Sequence, residues 1–175
     1  TLLGSIARVS QLFFRESGMV MARRSNRLSF DRLESRELMH GGVLASIIGN
    51  ELFITEAVGE PSQDNFVVVS RLPNQQVRVS GGINSDGTRT LINGHAQQDF
   101  TLFQTANLLV ALEGGNDRLF VENAEFGNIT VGMSRGLAPD ADVVALSDVR
   151  ASGVVSIGTG AGADKVAVRS STILN

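Results

Sequence analysis

From residue 41 onward, apolar and polar positions alternate along the chain in short stretches. The segments are VLASII (43–48), ELFIT (51–55), NFVVVS (65–70), QVRVS (76–80), RTLI (89–92), FTLF (100–103), NLLVAL (107–112), RLFVE (118–122), ITVGM (129–133), DVVAL (142–146), VVSIG (154–158) and KVAV (165–168). They are rich in β-branched residues and are divided by polar or Gly-rich breaks. Alternation with a period of two gathers apolar side chains on one face of a pleated strand, so each segment is a predicted strand. No stretch beyond residue 50 carries helical spacing. Residues 43–175 are therefore expected to form one all-β domain.

Residues 1–42 read differently. Leu2, Ile6, Val9 and Phe13 have helical spacing, and the segment is expected to be helical or disordered. The chain opens on Thr1, and Met21 is a candidate start of translation. Leu28, Phe30, Leu33, Glu34, Arg36, Leu38 and Met39 follow it in a fixed pattern. That stretch resembles the segment L-x-F-E-x-L-E-x-R-x-L-L at the start of many large secreted or surface proteins of planctomycete bacteria. Asp31 stands where the pattern has Glu, and Met39 where it has Leu. The resemblance implies export to the cell surface or the extracellular space, and no chemistry. The long apolar core of a standard secretory signal is missing.

A repeat runs through the second half. LLVALEGGNDRLFV (108–121) and VVSIGTGAGADKVAV (154–168) each join an apolar strand, a Gly-rich turn ending in Asp, and a second strand. ITVGMSRGLAPDADVVAL (129–146) keeps the plan between them, and ELFITEAVGEPSQDNFVVV (51–69), with Asp64 in its turn, is a candidate lead-in unit. A unit this short cannot bury its apolar face alone, but stacked units can. The expected architecture is a short parallel β-helix or β-solenoid of about six windings at most, with a β-sandwich as the alternative. Leu112, Leu146 and Ile157 are expected to share one inward file, and the glycines to let neighbouring turns approach closely.

These turns resemble the G-G-x-G-x-D-x-U-x repeats of hemolysin-type calcium-binding proteins, where U is a large aliphatic residue. Gly160, Gly162, Asp164 and Val166 match four positions, with Thr159 replacing the first Gly. Gly115, Asp117 and Leu119 match three, and around Asp142 only Asp142 and Val144 match. The turns here are more than twice as far apart as in that family, so an ion row would follow one side only.

Composition and charge narrow the function classes. The only aromatic residues are nine Phe, which points to a core of Val, Ile and Leu. The absence of Cys removes disulfides, thiolate catalysis and Cys-based zinc sites. Residues 1–40 hold seven Arg against four acids, and the remaining chain holds eight basic residues against fourteen acids. The acidic body would repel phosphate, so no nucleic-acid partner is expected. No run of about 18 apolar residues occurs, so no transmembrane helix is expected.

Asp117, Asp142 and Asp164, supplemented by Asp140, could supply carboxylates to calcium, with turn carbonyls completing the shell. The competing reading is that each Asp caps its own turn by accepting a nearby N–H. Catalytic residues are not expected. His40 and His95 are the only histidines, and His95 lies in a polar loop with Asp99 four residues on. Neither GGND (114–117) nor GTGAG (158–162) has the Lys-Ser/Thr of a phosphate loop. The expectation is a non-enzymatic, exported structural or adhesive module, stabilised by calcium. Its candidate partners are surface proteins, polysaccharide or a second copy stacked end to end. The alternative is the remnant of a carbohydrate-active β-helix enzyme using the Asp140/Asp142 pair.

Overall fold

The computed structural model describes residues 42–57, 63–102, 106–133 and 139–174, so the expectations for the N-terminal segment lie, Gly42 apart, outside the described residues. Within them the chain is all-β and has no helix. The strands are β1 (Gly42–Ile48), β2 (Glu51–Glu56), β3 (Phe66–Leu72), β4 (Gln76–Gly81), β5 (Leu91–Ile92), β6 (Gln97–Thr101), β7 (Asn107–Ala111), β8 (Arg118–Glu122), β9 (Glu125–Phe126), β10 (Ile129–Gly132), β11 (Val143–Ser147), β12 (Arg150–Ala151), β13 (Val155–Gly158), β14 (Lys165–Arg169) and β15 (Thr172–Ile173).

They form three sheets, the first two of mixed pairing and the third wholly parallel. The first runs β13-β10-β7-β2-β1-β5, the second β14-β11-β8-β3-β4-β6 and the third β15-β12-β9. Parallel pairing links β2, β7, β10 and β13 in the first sheet. It links β3, β8, β11 and β14 in the second, and β9, β12 and β15 in the third. The chain thus visits the sheets in the same order on each pass and lands one strand further along every time. Each pass is termed a tier here. β2 and β3 make the first tier, β7–β9 the second, β10–β12 the third and β13–β15 the fourth. The stretch between the first two tiers leaves this order. β4 pairs antiparallel with β3, and β6 antiparallel with β4. β5 pairs parallel with β1, which is itself antiparallel to β2. With that detour, the described residues form four tiers, below the six the length would allow.

Alternation explains the burial. β2, β4, β7, β8 and β11 each bury every second residue, and β3 does so through Val69 before Arg71 turns out to solvent. In-register pairing then stacks like on like. Leu52, Leu108, Ile129 and Val155 form one inward file, and Ile54, Val110, Val131 and Ile157 the next. In the second sheet the files are Val67, Leu119, Val144 and Val166, and Val69, Val121, Leu146 and Val168. Leu112, Leu146 and Ile157 therefore do not share a file. Leu146 belongs to the second sheet and Ile157 to the first. Leu112 follows β7, where its N–H donates to the Gly132 carbonyl at 2.9 Å. Inward files exist, but a two-strand repeat assigns these residues to the wrong one.

Each tier after the first also has a third strand of only two residues, too short for alternation to reveal. The corner leading into it is occupied by Asn123, Asp148 and Ser170, all at positive φ (46°, 54° and 48°). Asn and Asp tolerate this left-handed geometry better than other non-Gly residues. Phe126, on that third side, is among the largest fully buried side chains. The core is thus not purely aliphatic. Two further rings lie on the outer face of the second sheet, where Phe66 and Phe120 meet edge-to-face at 5.1 Å and Arg118 sits 4.8 Å over the Phe66 ring.

RTLI and FTLF also differ from expectation, because β5 starts only at Leu91 and β6 ends at Thr101. Thr90 is drawn into side-chain bonding, its Oγ1 accepting the Phe66 N–H at 2.8 Å. Asn93 and Gly94, both at positive φ, then turn the chain into β6.

Candidate metal centre

The turn before the second-sheet strands carries the predicted ligands. Asp117, Asp142 and Asp164 directly precede β8, β11 and β14, respectively. Parallel register puts Asn65, Asp117, Asp142 and Asp164 in one column. The carbonyls of the first three receive the next tier's N–H groups: Asn65 from Arg118 (2.7 Å), Asp117 from Val143 (2.8 Å) and Asp142 from Lys165 (2.8 Å). The aspartate side chains bond in the other direction. Asp117 Oδ1 accepts the Asn65 N–H (2.7 Å), Asp142 Oδ1 the Asp117 N–H (2.9 Å) and Asp164 Oδ1 the Asp142 N–H (3.1 Å).

Each Asp therefore caps the tier before it and not its own turn. The competing reading was right about the chemistry and wrong about the partner. Asp64, the expected turn acid of the lead-in unit, lies outside this column, and Asn65 occupies the equivalent place. Asp64 Oδ1 instead accepts the Asn116 N–H (2.8 Å), and Asn116 Oδ1 accepts the Ala141 N–H (3.0 Å). At another corner, Asn107 Oδ1 accepts the Asn128 N–H (2.8 Å) and Asn128 Oδ1 the Val154 N–H (2.9 Å). The spacing of these asparagines is present in the sequence, but a reading confined to the acids conceals it.

Three carboxylates converge where the third and fourth tiers meet beside the main column. Asp140 and Asp142 come from the turn leading into β11, and Asp164 from the turn leading into β14. One carboxylate oxygen of each lies within 4.8 Å of the others. Backbone geometry holds them there. Asp140 N–H donates to the Ala161 carbonyl (3.2 Å), and Ala163 N–H donates to the Asp140 carbonyl (3.0 Å). Gly162 bridges Asp140 at positive φ (153°), and any Cβ on it would overlap the Asp140 carbonyl. Gly115 is equally constrained, since a Cβ there would overlap the backbone of Gln63. The expected close approach of Gly turns is therefore present. Gly162→Ala is expected to cost about 1–3 kcal/mol, measured as a drop in denaturant midpoint at unchanged slope.

The electrostatics mark this corner as strained. Asp142 is fully buried, and with Oδ1 committed to Asp117, its Oδ2 meets no hydrogen-bond partner. Asp140 Oδ1 is likewise buried without a partner. Burial pushes the Asp142 carboxyl up to about 6, opposed by the Asp117 N–H and reinforced by the carboxylates of Asp140, Asp164 and Asp64. Asp117 is also fully buried, with Oδ2 unpartnered. Burial pushes its carboxyl up to about 8, opposed by the Asn65 N–H and reinforced by Asp142 and Glu56. Asp117 belongs to the column but not to the converging triad.

No protein-family model, curated protein or solved structure matches this chain. Its function has to be read from the chemistry of the corner.

That chemistry suits a hard cation. Three carboxylates, two of them carrying a buried and unpartnered oxygen, form an all-oxygen donor group of the kind calcium takes at about 2.3–2.6 Å. Two oxygens on opposite sides of one calcium stand about 5 Å apart, so oxygens within 4.8 Å of one another are compatible with a shared cation. Asp140, Asp142 and Asp164 are the residues that could hold it. Asp99 is engaged by Arg78 at 2.7 and 2.9 Å, and the His95 carbonyl accepts the Ile92 N–H within the β5–β6 turn. His40 lies outside the described residues. Among the described residues no helix is long and apolar enough to cross a membrane.

Proposed function

We propose that this protein is a structural or adhesive module, a short β-solenoid displayed on the cell surface or secreted, with calcium held at Asp140, Asp142 and Asp164. The observation that carries the reading is the in-register stacking of tiers. Successive passes superpose aliphatic on aliphatic and acid on acid, and the polar turn residues are used to hold tiers together. Such a stack offers flat faces that repeat from tier to tier, which suits display and adhesion to polysaccharide or to other surface proteins. The half-exposed Val166, Val168 and Ile173 of the fourth tier are the surface through which a second copy would stack end to end. The acidic body argues against a nucleic-acid partner. Export rests on the N-terminal resemblance.

The carbohydrate-active alternative is less favoured by the same geometry. Glycosidase carboxyls stand about 5–9.5 Å apart around an accessible bond. Asp142, however, has no exposed surface to present to a sugar. A non-enzymatic role follows from this reading.

Two measurements test it. Protease treatment of intact producing cells, with mass spectrometry of the mature N-terminus, is expected to find the chain outside the cell. Retention in the cytosol would end the export claim. Millimolar calcium is expected to raise the thermal midpoint of the wild type by several degrees, an effect that Asp140→Asn removes. An unchanged midpoint would end the calcium claim.

A further inference from the structure

We infer that calcium at this corner acts as a clasp, whose occupancy governs whether the fourth tier stays docked on the third. The inference rests on the calcium reading above and adds its consequence. The three carboxylates straddle a junction. Asp140 and Asp142 belong to the third tier and Asp164 to the fourth, and their oxygens meet within 4.8 Å. Asp142 is fully buried, with its free oxygen unpartnered. A buried anion that lies beside Asp140 and faces Asp164 across the junction pushes the tiers apart unless a counter-charge sits between them. A divalent cation bonded to oxygens from both tiers converts that repulsion into a link.

Among the described residues, no other junction in the column gathers three acids in this way. Between the first and second tiers the column residue is Asn65, which is neutral, facing Asp117. Between the second and third, Asp117 and Asp142 face each other without a third acid in the cluster. The fourth tier also has the least apolar burial to hold it. In the file running from Val67 through Leu119 and Val144, those three are 0% exposed, while Val166 is 52% exposed. In a stacked architecture each tier is stabilised only by its neighbours. A local charge change at this junction therefore alters local opening before global unfolding.

The test is amide hydrogen exchange on the full chain, in millimolar calcium and in chelator, with calorimetry of calcium binding in parallel. The reporting amides are Ala163 and Lys165, bonded to the carbonyls of Asp140 and Asp142, and Thr172 and Leu174, bonded to those of Val149 and Ala151. Calcium is expected to slow their exchange by about tenfold or more, equivalent to about 1.4 kcal/mol. Arg118, bonded to Asn65 at the first junction, should change far less. Asp164→Asn keeps an Oδ1 acceptor for the Asp142 N–H and removes one charge. It should protect these four amides in chelator above the wild type and abolish the calcium increment. Calcium binding with equal gains at Arg118 and Lys165, or with none at Lys165, overturns the clasp and leaves the binding site standing. Absence of any binding heat together with unchanged exchange overturns both.

Discussion

In the absence of divalent cations, the unfolding free energy of this protein is expected to fall by a few kcal/mol as pH rises from about 4 to about 9. The cause is the buried acid column. Burial raises the carboxyls of Asp142 and Asp117 to about 6 and about 8. In the unfolded chain both ionise near about 3.9. Above that pH the unfolded chain has released protons that the folded chain still holds. The folded state then binds more protons, and stability declines with pH. The stabilising contribution is complete below the unfolded value and is lost as pH passes through about 6 and then about 8. A tenfold change in a carboxyl's acidity between the two states corresponds to about 1.4 kcal/mol. Because the two carboxyls repel each other, they titrate as a coupled pair, and their contributions do not simply add.

Denaturant titrations over this pH series make the measurement. A stability that is flat or rising between about pH 5 and about pH 8 contradicts the buried, unpaired state of these carboxyls. Asp117→Asn retains an acceptor for the Asn65 N–H and cannot ionise. It is expected to remove the upper part of the decline and to stabilise the protein by about 1–3 kcal/mol near pH 8. Calcium replaces the proton at Asp142, so in its presence the lower part of the decline should shrink while the Asp117 part remains.

Leu119→Ala is expected to destabilise the protein by about 2–5 kcal/mol, whereas Val166→Ala, in the same inward file, should cost less than about 1 kcal/mol. The two positions pair through the same sheet, with Val144 between them. They differ in what covers them. Leu119 is enclosed by strands on both sides and is 0% exposed, so truncation leaves a cavity. Val166 lies on an edge strand at 52% exposure, where solvent takes the place of the missing methyls. Equilibrium unfolding of the two variants under identical conditions gives the comparison. Equal losses would mean that the fourth tier is as well enclosed as the second, which the packing does not allow.

Much of the strand content is legible from alternation, since segments such as RLFVE and KVAV reappear at nearly the expected bounds. The site is legible in part. The intervals between Asp117, Asp142 and Asp164 are the tier interval, and the three do share a column. Three features escape such a reading. The two-residue strands β9, β12 and β15 are too short to show any period, so the third side of each tier leaves no mark in the pattern. Asn65 is overshadowed by Asp64, because an aspartate in a turn is a louder signal than an asparagine that holds the same place in the stack. The detour through β4, β5 and β6 looks like more of the same pattern, although its pairing is largely antiparallel.

Residue order is enough to decide that this chain forms strands and where the polar corners recur, because both are local properties carried by alternation and by Gly and Asp placement. It does not decide what each corner does. Asp117, Asp142 and Asp164 are equivalent in the repeat, yet only two of them join Asp140 at a shared site, and only the first two are fully buried. Those differences depend on which tier lies above and below. Contacts between residues 22 to 52 positions apart create them, and they exist only once the tiers have stacked.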